Sequence, residues 1–185
     1  MVPLTELWMP ILLSAVFVFV ASSLIHMVLT YHRSDFGRLP DEDTVLAALR
    51  PLELPPGDYF MPHGESMAAM KDPAFLAKMH AGPVAIMTVR PSGPPAMGTS
   101  LVQWFLFSVI VSVIAAYIAG RALEHGADYL SVFRFAGTTA FVAYAIGQIP
   151  NSIWMGRAWS TTIKGAFDGF VYALLTAGVF GWLWP

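Results

Sequence analysis

Residues 101–120 read LVQWFLFSVIVSVIAAYIAG, and these twenty residues include no Asp, Glu, Lys or Arg. A helix of about 20 apolar residues crosses the hydrocarbon core of a bilayer, which is about 30 Å thick. Three other stretches are predominantly apolar over a similar length, at residues 7–31, 129–149 and 163–184. The sequence therefore predicts an all-α integral membrane protein in which four transmembrane helices form an antiparallel bundle.

The composition of the chain also favours a membrane protein. Of its 185 residues, 56% are hydrophobic and 12% are charged, and the mean hydropathy is +0.61. Soluble domains carry about twice that share of charged residues. The formal net charge of −2 argues against a nucleic-acid partner. The absence of cysteine excludes disulfides, thiolate metal sites and a cysteine nucleophile.

The region between the first two apolar stretches is predicted to form a small α+β cap domain outside the membrane. Residues 32–99 hold eight of the twelve acidic and six of the ten basic residues. Asp41 and Asp72 are typical helix N-caps, whereas residues 58–61 and 84–89 are typical of short strands. The predicted organisation is a first helix, a cap with its Pro/Gly linker, and three further helices, at residues 1–31, 32–99 and 100–185.

The distribution of positive charge predicts the orientation, because Lys and Arg collect on the cytoplasmic side of membrane proteins. Residues 32–99 and 150–162, with Lys164 just beyond, hold eight of them, and the opposite side holds only Arg121 and Arg134. This bias predicts that both termini lie outside and that loop 32–99 lies in the cytoplasm. The overall pattern is that of a multi-pass protein of the bacterial inner membrane.

Small residues recur at every fourth position in two of the apolar stretches. They are Gly165, Gly169, Ala173, Ala177 and Gly181 in the last stretch, and Ser108, Ser112, Ala116 and Gly120 in the second. Membrane helices approach one another closely through such residues. The pattern predicts close helix contacts, either within the chain or in a homo-oligomer or larger membrane complex.

A few polar side chains fall within the apolar stretches at one depth near the cytoplasmic end. They are His26, Gln103, Gln148 and Asp168, with Lys164 one turn before Asp168. An aspartate within the hydrocarbon core costs about 2.5 to 3.5 kcal/mol unless it finds a partner, and His26 and Lys164 are the candidate partners. The set is predicted either to handle protons or a substrate, or to hold the helices together by hydrogen bonds.

Residues at the two predicted membrane surfaces have simpler interpretations. On the cytoplasmic side, Trp154, Arg157 and Trp159 are predicted to contact lipid headgroups. On the outer side, Arg134 is predicted to pair with an acidic residue, for which the candidates are Glu6, Glu124 and Asp128. Membrane lipid is therefore an expected partner.

The predicted cap also holds a cluster of soft metal ligands. Copper(I) selects thioether and imidazole groups, and the candidate ligands are Met61, His63, Met67 and Met70. Their spacing does not repeat, and methionine also fills irregular gaps in small cores, so core packing is the main alternative. Copper is the only cofactor that the sequence suggests.

The sequence contains no complete set of catalytic residues and no nucleotide-binding motif. It therefore favours a non-catalytic accessory or interaction subunit of a membrane assembly. The first alternative is a small carrier or channel that uses His26, Gln103, Gln148 and Asp168. A copper-handling protein ranks lower, and an enzyme that acts on lipid with Asp168 or His26 as the base stays open.

Overall fold

The computed structural model describes residues 1–185 and divides the chain into two compact units. The four-helix unit comprises Met1–Gly37 and Ala96–Pro185, and the cap unit comprises Arg38–Pro95. The cap unit thus begins six residues after the predicted boundary at 31/32 and ends four residues before the one at 99/100.

Seven α-helices and two β-strands follow one another along the chain. In order they are α1 Trp8–Met27, α2 Glu42–Leu49, β1 Gly57–Met61, α3 Pro73–Ala81, β2 Ala85–Val89, α4 Met97–Ala122, α5 Tyr129–Tyr144, α6 Ile149–Trp154 and α7 Trp159–Trp182. Short 3₁₀ turns occur at Tyr31–Ser34, Arg50–Leu52, Ala69–Lys71 and Ile146–Gln148.

Four segments are long and apolar enough to cross a membrane: α1, α4, α7 and the combined α5 and α6 segment, Tyr129–Trp154. This confirms the four apolar helices that the sequence predicts. The bounds differ, since α1 ends at Met27, and α4 and α7 each begin one turn earlier than predicted. Those first turns read MGTS and WSTT, and hydropathy alone does not mark such polar turns as helical.

The four long segments contact one another in a closed cycle. Helix α1 contacts α4 and α7, and α5 contacts the same two helices. Two clusters of buried side chains fill the interior between them. The first includes Val2, Leu7, Ile11, Ala116 and Phe180, and the second includes Val18, Ile25, Val111, Tyr144 and Tyr172.

The small residues of α4 and α7 lie where neighbouring helices pack against them. A Cβ atom built on Gly169 would lie 2.7 Å from the carbonyl carbon of Tyr144 in α5. On α4, Ser112 accepts a hydrogen bond of 2.9 Å from Ser14 of α1. Further contacts of this kind join Gly165 to Gln148, Ala177 to Gly137 and Gly181 to Tyr129. Both small-residue faces are therefore covered within the chain, and neither is left open to a second copy.

The third apolar segment is interrupted, whereas the sequence predicts one helix over residues 129–149. The turn Ile146–Gln148 separates α5 from α6, and Pro150 is the second residue of α6. Proline has no N–H, so it removes one helical hydrogen bond at this point. The side-chain amide of Gln148 donates to the Tyr144 carbonyl at 3.1 Å, which satisfies a backbone acceptor beside the break.

The Gly169→Ala variant is expected to unfold more easily by about 1 to 3 kcal/mol, the usual cost of overpacking a tight contact. The new Cβ atom would meet the backbone of Tyr144, which cannot move aside as a side-chain end can. Gly178→Ala is the matched control on the same helix, because only the Tyr129 hydroxyl lies near its Cβ position, at 3.8 Å. Thermal unfolding in detergent, followed by Trp fluorescence, compares them. Equal midpoints for the two variants would contradict the close contact of α5 with α7.

The cap unit contains the predicted α+β elements. Strands β1 and β2 pair antiparallel in a two-stranded sheet. Asp41 caps α2 by accepting from the Thr44 N–H at 3.1 Å, and Asp72 caps α3 by accepting from the Ala74 N–H at 2.7 Å. None of residues 38–95 is fully buried, so this unit has no closed hydrophobic core.

Candidate functional site

A cavity of about 420 Å³ lies in the four-helix unit, next to the second cluster of buried side chains. Its walls come from the end of α1, the N-terminal parts of α4 and α7, and the chain around the α5 break. Its aromatic side is formed by Trp104, Phe107, Tyr144 and Tyr172. Its polar side includes His26, His32, Asp35, Gln148, Arg157 and Asp168. We call this cavity the chamber.

Asp168 is the buried carboxylate of the chamber, with 3% of its surface exposed. It accepts a hydrogen bond from the Tyr31 hydroxyl, and its Oδ2 lies 2.7 Å from Nε2 of His32. Tyr31 and His32 belong to the 3₁₀ turn Tyr31–Ser34, which follows α1. Both partners of the carboxylate therefore come from one short turn beyond the end of α1 at Met27.

His32 lies between two carboxylates. Its Nδ1 is 2.6 Å from Oδ2 of Asp35, and its Nε2 is 2.7 Å from Oδ2 of Asp168. A neutral imidazole has a single N–H and donates to only one of two carboxylates. Both contacts are hydrogen bonds only when the ring is doubly protonated or when one carboxyl keeps its proton.

Lys164 attaches the Tyr31–Ser34 turn to α7. Its ammonium donates to the Asp35 carboxylate at 2.8 Å, to the Tyr31 carbonyl at 2.7 Å and to the Ser34 hydroxyl at 2.7 Å. These bonds use all three donors of the ammonium group. The expected pairing of Lys164 with Asp168 is therefore corrected: the lysine binds Asp35, although Asp168 lies one turn later on the same helix.

Burial and hydrogen bonds together shift the pKa values of Asp35 and Tyr31. Burial alone would raise the pKa of Asp35, but the hydrogen bonds from Lys164 and His32 outweigh burial and hold that pKa below its usual value. Burial and then the hydrogen bond to Asp168 raise the pKa of Tyr31 well above 10. At neutral pH Asp35 is therefore an anion, and Tyr31 is a neutral hydrogen-bond donor.

His26 lies beside His32 on the exposed side of the chamber. The two ring centroids are 4.5 Å apart, and His26 forms no hydrogen bond with Asp168, contrary to one expectation from the sequence. One ligand atom from each of His26, His32 and Asp168 lies within 4.8 Å of the other two. No other group of three His, Asp or Glu side chains in the chain comes together in this way.

The chamber also contains hydrogen-bond donors that have no partner. The hydroxyls of Tyr144 and Tyr172 are buried and form no hydrogen bond. The Arg157 guanidinium lines the chamber and forms no ion pair. Buried polar groups in proteins normally have partners, so the two tyrosine hydroxyls are the unusual feature, and the exposed Arg157 at the rim adds a positive charge that suits an oxygen-bearing ligand.

The remaining polar residues predicted near this end do not all reach the chamber. Gln148 and Arg157 line it, whereas Gln103 is exposed on α4 and does not. Trp154 and Trp159 are exposed large side chains, which leaves their predicted contact with lipid headgroups as a prediction. The predicted polar layer is thus brought together in part, without Gln103.

At the opposite end of the four-helix unit the predicted ion pair is absent. Glu6 pairs with His125 at 2.8 Å, and Arg134 forms no salt bridge with Glu6, Glu124 or Asp128. Arg134 instead lines an apolar groove between α5 and α7. The expected pairing of Glu6 with Arg134 is therefore wrong, because the chain turn at His125 is nearer to Glu6.

The predicted copper ligands all lie in the cap unit. Met61 and Met67 are largely exposed, and Met70 packs beside Gly64 and Phe75. His63 lines a separate small pocket that also includes Phe75. The contact of Met70 agrees with the packing alternative, and copper binding by Met61, His63, Met67 and Met70 stays a prediction.

Three residues of the site, Tyr31, His32 and Asp35, are missed by reasoning from sequence. They lie at or beyond the end of the first apolar stretch, where polar residues are expected as ordinary flanks of a membrane helix. Two signals were present: a histidine and an aspartate three residues apart, and a lysine and an aspartate one turn apart on α7. Only the fold shows that these two pairs meet.

Comparison with known proteins adds no functional information. The chain matches no protein-family model, and comparisons with curated proteins and with solved structures find no match either. The function is therefore inferred from the geometry of the chamber.

Proposed function

We propose that this chain is a multi-pass protein of the bacterial inner membrane that binds a small polar ligand in the chamber and acts as a carrier. The observation that supports this most directly is Asp168, a buried carboxylate that lines an open cavity. Ionisable groups within membrane segments are costly, and they usually serve a ligand or ion pathway. The unpartnered donors Tyr144, Tyr172 and Arg157 fit a ligand with oxygen acceptors.

The proposed orientation places the chamber at the cytoplasmic end of the membrane segments. The excess of Lys and Arg in residues 32–99 and 150–162 supports it, because such residues collect in the cytoplasm. Both termini then lie outside. Trp154, Arg157 and Trp159 stand at the inner headgroup layer in this orientation, with membrane lipid as their partner.

The carrier proposal replaces the accessory subunit as the favoured function. The subunit hypothesis depends on small-residue faces that could receive another membrane helix. In the four-helix unit those faces are covered by α1 and α5, as at Ser112 and Gly169. A homo-oligomer or larger complex therefore needs some other surface, whereas the chamber supports ligand binding by one copy.

Water access to the chamber tests the proposal, and the chain suits this test because it contains no cysteine. Phe107 lines the chamber, whereas its neighbour Leu106 does not. Leu106 is the more exposed of the two, at 54% against 40%. In proteoliposomes we expect Phe107→Cys to react with a charged methanethiosulfonate at least tenfold faster than Leu106→Cys, since thiolates form in water and not in lipid.

The same pair of variants tests the orientation. Reagent added from the side that holds residues 32–99 is expected to modify Phe107→Cys, and reagent added from the side of the termini is not. A single cysteine at Thr5 reports which side the reagent reaches. If Phe107→Cys and Leu106→Cys react equally slowly from both sides, water does not enter the chamber. That result would overturn the carrier proposal.

A further inference from the structure

We propose that His26, His32 and Asp168 bind one divalent transition-metal ion, with zinc as the best match. The inference rests on the proposed function and deepens it: the ion would lie in the same chamber, and its open position would receive an oxygen of the proposed ligand. It is carried by the arrangement of the side chains: one ligand atom from each lies within 4.8 Å of the other two. Two imidazoles and a carboxylate are a common set of protein ligands for zinc.

Small movements suffice to convert this arrangement into a coordination site. Ligand atoms about 2.0 to 2.2 Å from a tetrahedral zinc ion lie roughly 3.3 to 3.6 Å apart. The Nε2 of His32 and Oδ2 of Asp168 are now 2.7 Å apart and joined by a hydrogen bond. The ion takes the place of the proton between these two atoms, and that proton is released to water.

The groups around the ligands orient them as metal sites require. A metal-ligating histidine usually donates its other ring N–H to a carboxylate, which fixes the ring and its tautomer. Here Nδ1 of His32 lies 2.6 Å from Asp35, and Lys164 holds that carboxylate at 2.8 Å. This leaves Nε2 of His32 directed at Asp168. The Tyr31 hydroxyl binds the other oxygen of Asp168, so both ligands are held in place.

The donor set also narrows the identity of the ion. Calcium and magnesium prefer shells made of oxygen, and copper(I) prefers sites that include sulfur ligands, which this group lacks. Imidazole with carboxylate suits zinc and its neighbours among the divalent transition metals. Three protein ligands leave a fourth position, and an open position is typical of zinc sites that exchange ligands. His26, His32 and Asp168 all line the chamber, as do Tyr172 and Arg157, so the fourth position would open toward it.

Zinc titration of the full chain in detergent, after treatment with a chelator, tests the inference by calorimetry. Wild type is expected to bind one Zn²⁺ per chain. His32→Ala is expected to abolish this binding, and His26→Ala to weaken it at least tenfold. Asp35→Asn is expected to weaken binding about 10- to 100-fold, because Asp35 is not a ligand but orients His32. His63→Ala and His125→Ala, outside the chamber, serve as controls and are expected to bind as wild type does.

His26→Ala is the decisive variant: His26 is exposed and forms none of the hydrogen bonds that hold the turn to α7, so the variant is expected to fold as wild type does. Cobalt(II) gives a second measurement, because the visible absorption of a tetrahedral site should appear in wild type and disappear in His32→Ala. Less than half an equivalent of zinc bound, or unchanged affinity in His26→Ala, would overturn the metal site. Thiol reaction at Phe107→Cys is measured without metal, so either proposal can fail while the other stands.

Discussion

The Asp168→Ala variant is expected to lose about 3 to 5 kcal/mol of stability, which is typical when one partner of a buried charged pair is removed. The change leaves the Tyr31 hydroxyl without an acceptor and Nε2 of His32 without its carboxylate partner, both next to α7. For a chain of this size, such a loss corresponds to a fall of roughly 6 to 20 °C in the unfolding midpoint. Thermal unfolding of the metal-free protein in detergent, followed by Trp fluorescence, measures it.

Asp168→Asn is the matched control, because its amide oxygen still accepts a hydrogen bond from Tyr31. We expect it to lose less than half as much stability as Asp168→Ala. An Asp168→Ala variant that unfolds at the wild-type temperature would show that Tyr31 and His32 do not depend on the carboxylate. It would also show that the Asp168 carboxylate is hydrated rather than hydrogen-bonded to the turn Tyr31–Ser34.

Removing the ammonium group of Lys164 is expected to have an effect of similar size at neutral pH. In Lys164→Met the Asp35 carboxylate, whose side chain is 9% exposed, keeps only His32 as a partner. Loss of one member of a largely buried ion pair costs about 3 kcal/mol. The exposed Lys71 of the cap unit, which forms no salt bridge, provides the control variant Lys71→Met, and its midpoint is expected to remain that of wild type.

The effect of Lys164→Met should depend on pH with a definite sign. Because the folded protein holds the pKa of Asp35 below its usual value, this carboxylate contributes stability that is present above the unfolded pKa of about 3.9. That contribution is lost as the pH falls through the folded pKa. The difference in midpoint between wild type and Lys164→Met is therefore expected to shrink from pH 7 toward pH 3. A difference that stays constant over this range would contradict the Lys164–Asp35 pair.

The sequence predicts the four long helices because their signal is local. A run such as residues 101–120 has no charge to place in water, so its length and hydropathy identify it. The cap helices are equally local, since Asp41 and Asp72 each cap the helix that follows. The break after Tyr144 has a local signal in Gly147 and in Pro150 just beyond the predicted span 129–149, but hydropathy alone does not detect it.

The candidate site is predicted only in part because its contacts are not local. Burial of Asp168 and its need for a partner follow from the cost of a charge in an apolar helix. The identity of that partner depends on how a turn 136 residues earlier folds back on α7. Lys164 is nearer to Asp168 in sequence, and His26 is predicted at the same depth in the membrane. The folded turn instead places His32 between Asp35 and Asp168.

The close approach of α5 to α7 at Gly169 links the stability of the fold to the shape of the chamber. The backbone of Tyr144 that meets Gly169 carries a side chain that lines the chamber, so a larger residue at Gly169 is expected to displace a chamber wall as well as to lower stability. For the proposed carrier, substitutions that change ligand preference at little cost to folding are expected at Asn151 and Arg157, which line the exposed rim.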